Sequence, residues 1–189
     1  MILNTEELIY MANLLDQGKT ILYPTDTVWG IGCDATNELA VKKIYQIKQR
    51  AESKSLIILV SSLEMLQKYV QNIPKKAIEI LDSSMRPTTI IYKNPIGLAK
   101  NVIASDTTIA IRIVQDAFCK DLINSFGKPI VSTSANLSEQ PTPNSFSEIS
   151  TTILESVDYI VNLRQDNQSK LPSRILRITD SGEIEVIRD

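Results

Sequence analysis

Three polar segments of the chain contain residue types that could bind an anionic ligand. Residues 23–30 contain two threonine hydroxyls and one carboxylate after a predicted strand. Lys48, Arg50 and Lys54 precede a predicted buried strand, where three cations could hold a polyphosphate and Arg50 could bind it bidentately. Residues 131–136 supply serine, threonine and asparagine side chains directly after another predicted strand. Open sheets bind ligands where strand ends open into loops, so these segments are candidate binding segments.

Each segment also has a simpler interpretation, and the residues by themselves leave both open. Hydroxyl groups in residues 23–30 are typical of a capped turn. Basic residues in the last turn of a helix interact favourably with the helix dipole whether or not a ligand is bound. The polar side chains of residues 131–136 could satisfy one another within a loop.

The composition excludes several classes of catalytic site. The chain contains no histidine, which excludes a Ser-His-Asp triad, a Cys-His pair and any histidine-ligated metal. Cys33 and Cys119 are widely separated and have no CxxC partner, so we expect both to be buried and reduced. The chain has no GxxxxGK[ST] phosphate loop and no calcium loop, and the Gly30-x-Gly32 pair alone does not indicate a dinucleotide site. An enzyme built from this chain must use lysine, arginine, carboxylate, hydroxyl and main-chain groups.

Length and charge set further limits. The 189 residues are enough for one ordinary domain, which we expect to span residues 1–189. The net charge of −2 argues against a protein that works mainly by non-specific attraction to nucleic acid, although a local basic patch stays open. No stretch approaches the roughly 18 apolar residues of a membrane span, and no signal peptide is visible. These features predict a cytoplasmic protein without membrane association.

Hydrophobic periodicity predicts the helices and strands that must position the three segments. An N-terminal helix is capped by Asn4 and ended by Gly18. The other predicted helices cover residues 37–49, a short stretch from 61 or 62, a stretch with Pro74 in its first turn, 116–126 and 146–154. The predicted strands cover residues 20–23, 56–60, 88–92, 108–113, 129–132 and 159–161, followed by a hairpin of 174–179 and 183–188. Their irregular order predicts an α/β or α+β sheet domain.

Taken together and in order, the three segments resemble the signature of a known family. YPTDTVWGIGCDA (residues 23–35), KQR (48–50) and STSANLS (132–138) are similar to the motifs of the threonylcarbamoyl-AMP synthase family, called YrdC or TsaC. The likeness spans roughly residues 14–173, and the ordered set is far more specific than any single motif. It implies a single concave domain in which helices flank a twisted mixed parallel and antiparallel sheet.

The resemblance also implies an activity. Members of this family make threonylcarbamoyl-AMP and pyrophosphate from L-threonine, bicarbonate and ATP, and the product feeds threonylcarbamoylation of transfer RNA. The implied partners are these substrates and a downstream transfer-RNA threonylcarbamoyl transferase complex, with weak or no direct RNA binding. Mg²⁺ is implied as an ion held mainly by the phosphates of ATP, without protein side chains as ligands.

By the same resemblance, individual residues acquire expected roles. Lys48 and Arg50 match catalytic cations of the ATP site. The ATP-binding set implied by motif and spacing is Lys48, Arg50, Lys54, Thr108, Ser134, Asn136, Thr142 and Arg188. The implied threonine-binding set is Thr27, Arg112, Ser132 and Ser173, in which Arg112 would bind the threonine carboxylate bidentately.

The sequence leaves two questions open. One alternative function is a nucleic-acid-binding module for double-stranded RNA on the same fold, since Lys42, Lys43, Lys48, Arg50 and Lys54 lie in one quarter of the chain. Another is a divergent paralogue, because the chain departs from the family pattern at several positions. One of them is Leu59, which either faces the threonine pocket or lies in the core, and strand alternation does not decide between the two.

Overall fold

The chain forms a nine-stranded mixed sheet in its computed structural model, which describes residues 4–51, 55–169 and 171–189. The strands are β1 Ile21–Tyr23, β2 Gly30–Gly32, β3 Ile57–Val60, β4 Thr88–Lys93, β5 Thr108–Ile113, β6 Ile130–Ser134, β7 Tyr159–Ile160, β8 Arg174–Ile178 and β9 Ile184–Arg188. Their order across the sheet is β7-β1-β2-β6-β3-β5-β4-β8-β9. The β1–β7, β3–β5 and β4–β8 pairs are parallel and the other pairs are antiparallel.

Helices flank this sheet, which confirms the predicted class of fold. They are α1 Thr5–Asp16, α2 Glu38–Lys48, α3 Leu63–Tyr69, α4 Lys75–Ser83, α5 Ala117–Phe126 and α6 Thr151–Ser156. Helix α1 begins at the predicted cap, where Asn4 and Glu7 exchange the two hydrogen bonds of a capping box. Helix α5 begins at Asp116 and ends at Gly127, whose φ of 77° is the left-handed conformation that glycine adopts without strain. None of the helices in the described ranges is both long and apolar enough to cross a membrane.

Three elements differ from the sequence prediction. Residues 30–32, for which the sequence predicted no element, form strand β2, because they gain partners on both sides from β1 and β6. Strand β6 extends to Ser134, two residues beyond its predicted end, because its polar end pairs with β2. The helix predicted over residues 146–154 is divided into a 3-10 turn at Phe146–Glu148 and helix α6, whose N-terminus Ser150 caps.

The core lies between the sheet and its helices and includes both cysteines. Cys33 and Cys119 are fully buried free thiols, as predicted. Burial raises the pKa of both thiols, so they stay protonated and unreactive at neutral pH. Neither cysteine is a candidate nucleophile.

Gly32 is required by a close approach between strands. A Cβ at this position would lie 2.6 Å from the main-chain oxygen of Val131 and 2.7 Å from Cε1 of Tyr23. Both contacts are shorter than van der Waals distance, and a main-chain oxygen in the middle of a sheet cannot move away. Gly32 thus permits an approach of the neighbouring strand that a side chain at this position would prevent.

We therefore expect Gly32→Ala to lower the free energy of unfolding by about 1–3 kcal/mol, the usual cost of overpacking a close-packed interior. Chemical denaturation measures this change. Gly30→Ala is the matched control in the same strand, because its Cβ would meet only side-chain atoms, the nearest being Ser132 Oγ at 3.1 Å. Equal losses of stability in the two variants would contradict this account of Gly32.

Candidate functional site

Strand pairing brings the three polar segments together in the middle of the sheet. Strand β6 lies between β2 and β3, so that Gly30 of β2 faces Ser134 and Ile57 of β3 faces Ser132. Strand β3 in turn pairs in parallel with β5, which carries Arg112. The three segments are far apart in sequence. They become neighbours because strands β2, β6, β3 and β5 are adjacent in the sheet.

The segments enclose a cavity of about 230 Å³. Three arginines line it: Arg50, Arg112 and Arg188. Hydroxyl side chains form much of the remaining wall, namely Thr27, Ser132, Thr133, Ser134, Thr142 and Ser173. No aspartate or glutamate belongs to the lining among the described residues. The cavity is therefore positively charged and rich in hydrogen-bond donors, a combination that suits an anionic ligand.

Arg112 is held rigidly beneath this cavity. Only 3% of the residue is exposed. Its Nη1 donates to Thr27 Oγ1 at 3.2 Å, and its Nη2 lies 3.2 Å from Asp26 Oδ1 in an ion pair that lacks hydrogen-bond geometry. Both terminal nitrogens thus face groups of the chain itself. Arg112 Nε has no hydrogen-bond partner in the described structure and each terminal nitrogen carries a second N–H, so donors remain for a ligand carboxylate.

Lys48 differs most from its expected environment. The sequence pattern suggested a cation at the polar end of a helix, but only 1% of Lys48 is exposed. Its Nζ donates to the main-chain oxygens of Ser134 and Asn136 and to Asn136 Oδ1. Burial, together with the nearby charge of Arg50, lowers the pKa of Lys48 to about 7. Lys48 does not belong to the lining of the cavity.

The other members of the KQR and STSAN motifs lie at the cavity mouth or just behind it. Arg50 is half-buried, and its Nη2 donates to the main-chain oxygen of Ser55 at 2.9 Å. Burial lowers the pKa of the Arg50 guanidinium. Ser134 Oγ donates to Asn136 Oδ1 at 2.6 Å. Ser134 and Thr142 line the cavity, whereas Asn136 does not.

Strand β9 closes one side of the cavity through Arg188. Its Nε and Nη2 donate to the main-chain oxygen of Ser173 at 3.0 and 2.7 Å. Ser173 is itself buried and shares a hydrogen bond of 2.8 Å with Thr89. Burial and the nearby charge of Arg112 lower the pKa of Arg188. The C-terminal hairpin therefore contributes a cation to the site.

Three of the predicted nucleotide-binding residues that the structure describes do not line this cavity: Lys48, Asn136 and Thr108. Thr108 lines a neighbouring cavity of about 250 Å³, and Ser55 belongs to the walls of both. The Thr108 hydroxyl donates to Asp106 at 2.6 Å. Lys54 lies outside the described residues.

Leu59 is a core residue, which answers the question that alternation left open. It is fully buried and does not line the cavity. It lies opposite Arg112 in the β3–β5 pair and opposite Ile130 in the β3–β6 pair, and cross-strand partners share a face of the sheet. Leu59 therefore lies on the same face of the sheet as Arg112, where it is buried in the core beside the cavity lining.

The basic residues invoked for RNA binding do not form one exposed face. Lys42 is exposed, but Lys43 donates to the main-chain oxygen of Gly18 at 2.9 Å. Lys48 is buried and Arg50 lines the cavity. Of the four members of this set that the structure describes, only Lys42 is exposed to solvent, so these residues do not form a basic patch.

Sequence reasoning missed Asp26 and Ser55 as parts of the site. Asp26 was visible as a carboxylate at a strand end, but its partner Arg112 is distant in sequence and becomes adjacent only through strand pairing. The main-chain oxygen of Ser55 accepts a hydrogen bond from Arg50. Any residue type has this oxygen, so the sequence could not indicate the role. No group of three or more carboxylate, cysteine or histidine side chains that could hold a metal ion occurs among the described residues.

Sequence comparison identifies relatives over most of the chain. The Sua5/YciO/YrdC family model, with the description "Telomere recombination", matches residues 13–189. The threonylcarbamoyl-AMP synthase of Pseudoalteromonas translucida is 39% identical, and the match covers 78% of this chain and 81% of that protein. The putative threonylcarbamoyl-AMP synthase of Methanocaldococcus jannaschii is 35% identical, with coverage of 97% of this chain and 88% of that protein.

A solved structure has the same fold. P. abyssi Sua5 complexed with L-threonine superposes with a TM-score of 0.88 at 24% sequence identity. The match covers 100% of this chain and 55% of that one, so this chain spans just over half the length of P. abyssi Sua5. At this identity the likeness establishes the fold alone.

The buried ion pair beneath the cavity gives a direct stability prediction. Only 4% of the Arg112 side chain and 12% of the Asp26 side chain are exposed. Because removal of one partner leaves the other charge buried and uncompensated, we expect Asp26→Asn to lower the free energy of unfolding by about 3–5 kcal/mol.

Denaturant titration measures the loss in Asp26→Asn, with Asp180→Asn as the control. Asp180 also pairs with a cation, Lys93, but 88% of its side chain is exposed, so its substitution should have little effect. Comparable stability of the two variants would contradict the structural importance of the Asp26–Arg112 pair.

Proposed function

This chain belongs to the Sua5/YciO/YrdC family, and on that premise we propose that it is an L-threonylcarbamoyladenylate synthase. Its substrates are L-threonine, bicarbonate and ATP, and its products are threonylcarbamoyl-AMP and pyrophosphate. It is accordingly a nucleotidyltransferase, since an adenylyl group moves from ATP to the carbamate of threonine. The names of its bacterial and archaeal relatives support this activity.

The observation that carries the proposal is the charge of the cavity. Arg50, Arg112 and Arg188 converge on one small space whose described lining contains no carboxylate. Every proposed substrate is anionic or carries a carboxylate, and guanidinium groups are well suited to phosphates and carboxylates. The surrounding hydroxyls supply neutral donors that can fix the orientation of such ligands.

The reaction proceeds in two steps. First, the threonine amine attacks the bicarbonate carbon, a C–N bond forms, and water leaves as the carbamate is produced. Second, a carbamate oxygen attacks the α-phosphorus of ATP, a P–O bond forms, and pyrophosphate leaves. One molecule each of threonine, bicarbonate and ATP is therefore consumed. The products are threonylcarbamoyl-AMP, pyrophosphate and one molecule of water.

Such a reaction needs positioning and neutralisation of charge more than an acid or a base. Phosphoryl-group transfer is catalysed largely by holding reactants in line and by placing cations against developing negative charge. Arg50, half-buried at the cavity mouth, is suited to the triphosphate. Arg112 and Arg188 add positive potential to the same cavity, whose lining hydroxyls of Thr27, Ser132 and Ser173 are suited to threonine. The absence of histidine from the sequence therefore removes nothing that the chemistry requires.

Mg²⁺ has no assigned protein ligands in this proposal. Mg²⁺ typically keeps several waters and binds through substrate phosphates with few carboxylates. The described residues include no acidic cluster suited to a resident ion. Any Mg²⁺ would enter with ATP.

The product of this reaction is an activated carbamate, which requires an acceptor. We propose transfer RNA as the acceptor, through a separate threonylcarbamoyl transferase complex. Weak or absent direct binding of RNA, and a cytoplasmic location, remain predictions from the sequence. Lys42, Lys43, Lys48 and Arg50 do not form one exposed basic face, which favours weak RNA binding over the alternative of a double-stranded RNA-binding module.

The proposed activity predicts that pyrophosphate release from ATP requires both L-threonine and bicarbonate. A coupled pyrophosphate assay in buffers depleted of carbon dioxide measures each dependence separately. L-serine, which lacks the threonine methyl group, is the matched control for the amino acid. Release at full rate without threonine or without bicarbonate would contradict the synthase proposal.

A second prediction concerns Arg50. We expect Arg50→Ala to fold normally and to lower turnover by about a hundredfold or more, the effect of deleting a preorganised cation that stabilises a transition state. Lys42→Ala is the control, since Lys42 is an exposed cation on helix α2 outside the cavity. Turnover of Arg50→Ala close to that of Lys42→Ala would indicate that Arg50 only stabilises the end of the helix.

A further inference from the structure

We propose that Lys48 is a positioning residue, whose amine fixes residues 134–138, the segment that begins at the cavity-lining Ser134, and does not contact the substrates. The role of Lys48 in the substrate-free protein follows from its hydrogen bonds alone. The consequence of this role for ATP binding rests on the proposed function. It differs from the role that the sequence resemblance implies, in which Lys48 binds the nucleotide.

The hydrogen bonds of Lys48 all lead to this one segment. Its Nζ donates to the main-chain oxygen of Ser134, to that of Asn136 at 2.7 Å and to Asn136 Oδ1 at 3.3 Å. A protonated amine has three N–H donors, so these three acceptors use all of them. The amine therefore has no donor left for a phosphate while the segment is in this conformation.

Main-chain contacts fasten the same segment on both sides. The Ser138 amide donates to the main-chain oxygen of Lys48 at 2.8 Å, which ties the segment to the end of helix α2. The Ala135 amide donates to the main-chain oxygen of Trp29 at 3.0 Å, which ties it to the loop that precedes β2. Lys48 thus lies where helix α2, strand β6 and the residues 24–29 meet. Loss of its amine would remove a donor from both carbonyls, of which that of Ser134 would keep the Asn136 amide as a donor at 2.9 Å.

The protonation of Lys48 makes this role measurable. Burial and the charge of Arg50 lower its pKa to about 7, and none of the ion pairs among the described residues involves Lys48. Deprotonation leaves two N–H donors for three acceptors, and we expect the longest contact, that to Asn136 Oδ1, to be released. The chain has no histidine, and burial raises the pKa of both cysteines. Lys48 is therefore expected to titrate near neutral pH.

Nuclear magnetic resonance of the substrate-free protein tests the proposal directly. In the wild type, the amide resonances of Ala135, Asn136 and Ser138 should shift with a midpoint near pH 7. The shift should vanish in Lys48→Met and persist in Lys42→Met, which removes an exposed charge from the same helix. In Arg50→Met the midpoint should rise, because a like charge has been removed.

Two outcomes would overturn the inference: no titration of these amides in the wild type, or the same titration in Lys48→Met. If Lys48→Met does not fold, the wild-type and Arg50→Met midpoints decide the question by themselves. None of these measurements requires that the protein bind ATP.

ATP binding supplies a second arm. By calorimetry, Lys48→Met should weaken ATP binding by about tenfold or more at every salt concentration, with the salt dependence of the wild type retained. Arg50→Met should instead reduce the salt dependence, as expected of a cation that pairs with phosphate. A reduced salt dependence in Lys48→Met, with the 134–138 amides unmoved, would overturn the positioning role. Failure of the wild type to bind ATP would contradict the proposed function and leave the substrate-free result as the test of Lys48.

Discussion

Buried positive charge in the middle of the sheet is the constraint on which the rest of the site depends. Only 1% of Lys48 and 3% of Arg112 is exposed to solvent. A buried cation without a compensating partner lowers the stability of the folded protein. Arg112 is offset by the carboxylate of Asp26, whereas Lys48, Arg50 and Arg188 donate to main-chain carbonyls. Carbonyl oxygens fix a cation without cancelling its charge. The cavity therefore keeps the positive potential that an anionic substrate needs.

Strand β6 allows this arrangement because it is shared by both walls of the cavity. It pairs antiparallel with β2 on one side and with β3 on the other. Its last residues can then face the residues 24–29 on one flank and the segment that begins at Ser55 on the other. The close approach at Gly32 and the hydrogen bonds of Lys48 act on the two ends of the same strand. The stability of the sheet and the shape of the cavity thus depend on the same strand, β6.

The sequence predicted much of the fold and the composition of the site, because both follow from local signals. Asn4 and Gly127 mark helix ends through capping and backbone conformation, and the apolar run in β3 indicates a buried strand. Burial of Lys48 was not predictable, since the residue type suggests exposure and only tertiary packing supplies its carbonyl acceptors. Strand β2 was missed for a similar reason, because a glycine-rich segment becomes a strand only when two neighbours pair with it.

In the proposed reaction, this cavity joins threonine, bicarbonate and ATP into one adenylate. Mass spectrometry of the reaction products with ¹³C-labelled bicarbonate is the decisive measurement, since it identifies the bond that forms. We expect a product that contains AMP, threonine and one labelled carbon, formed only when all three substrates are present. A nucleotide product without the labelled carbon, or AMP without attached threonine, would contradict the proposed reaction.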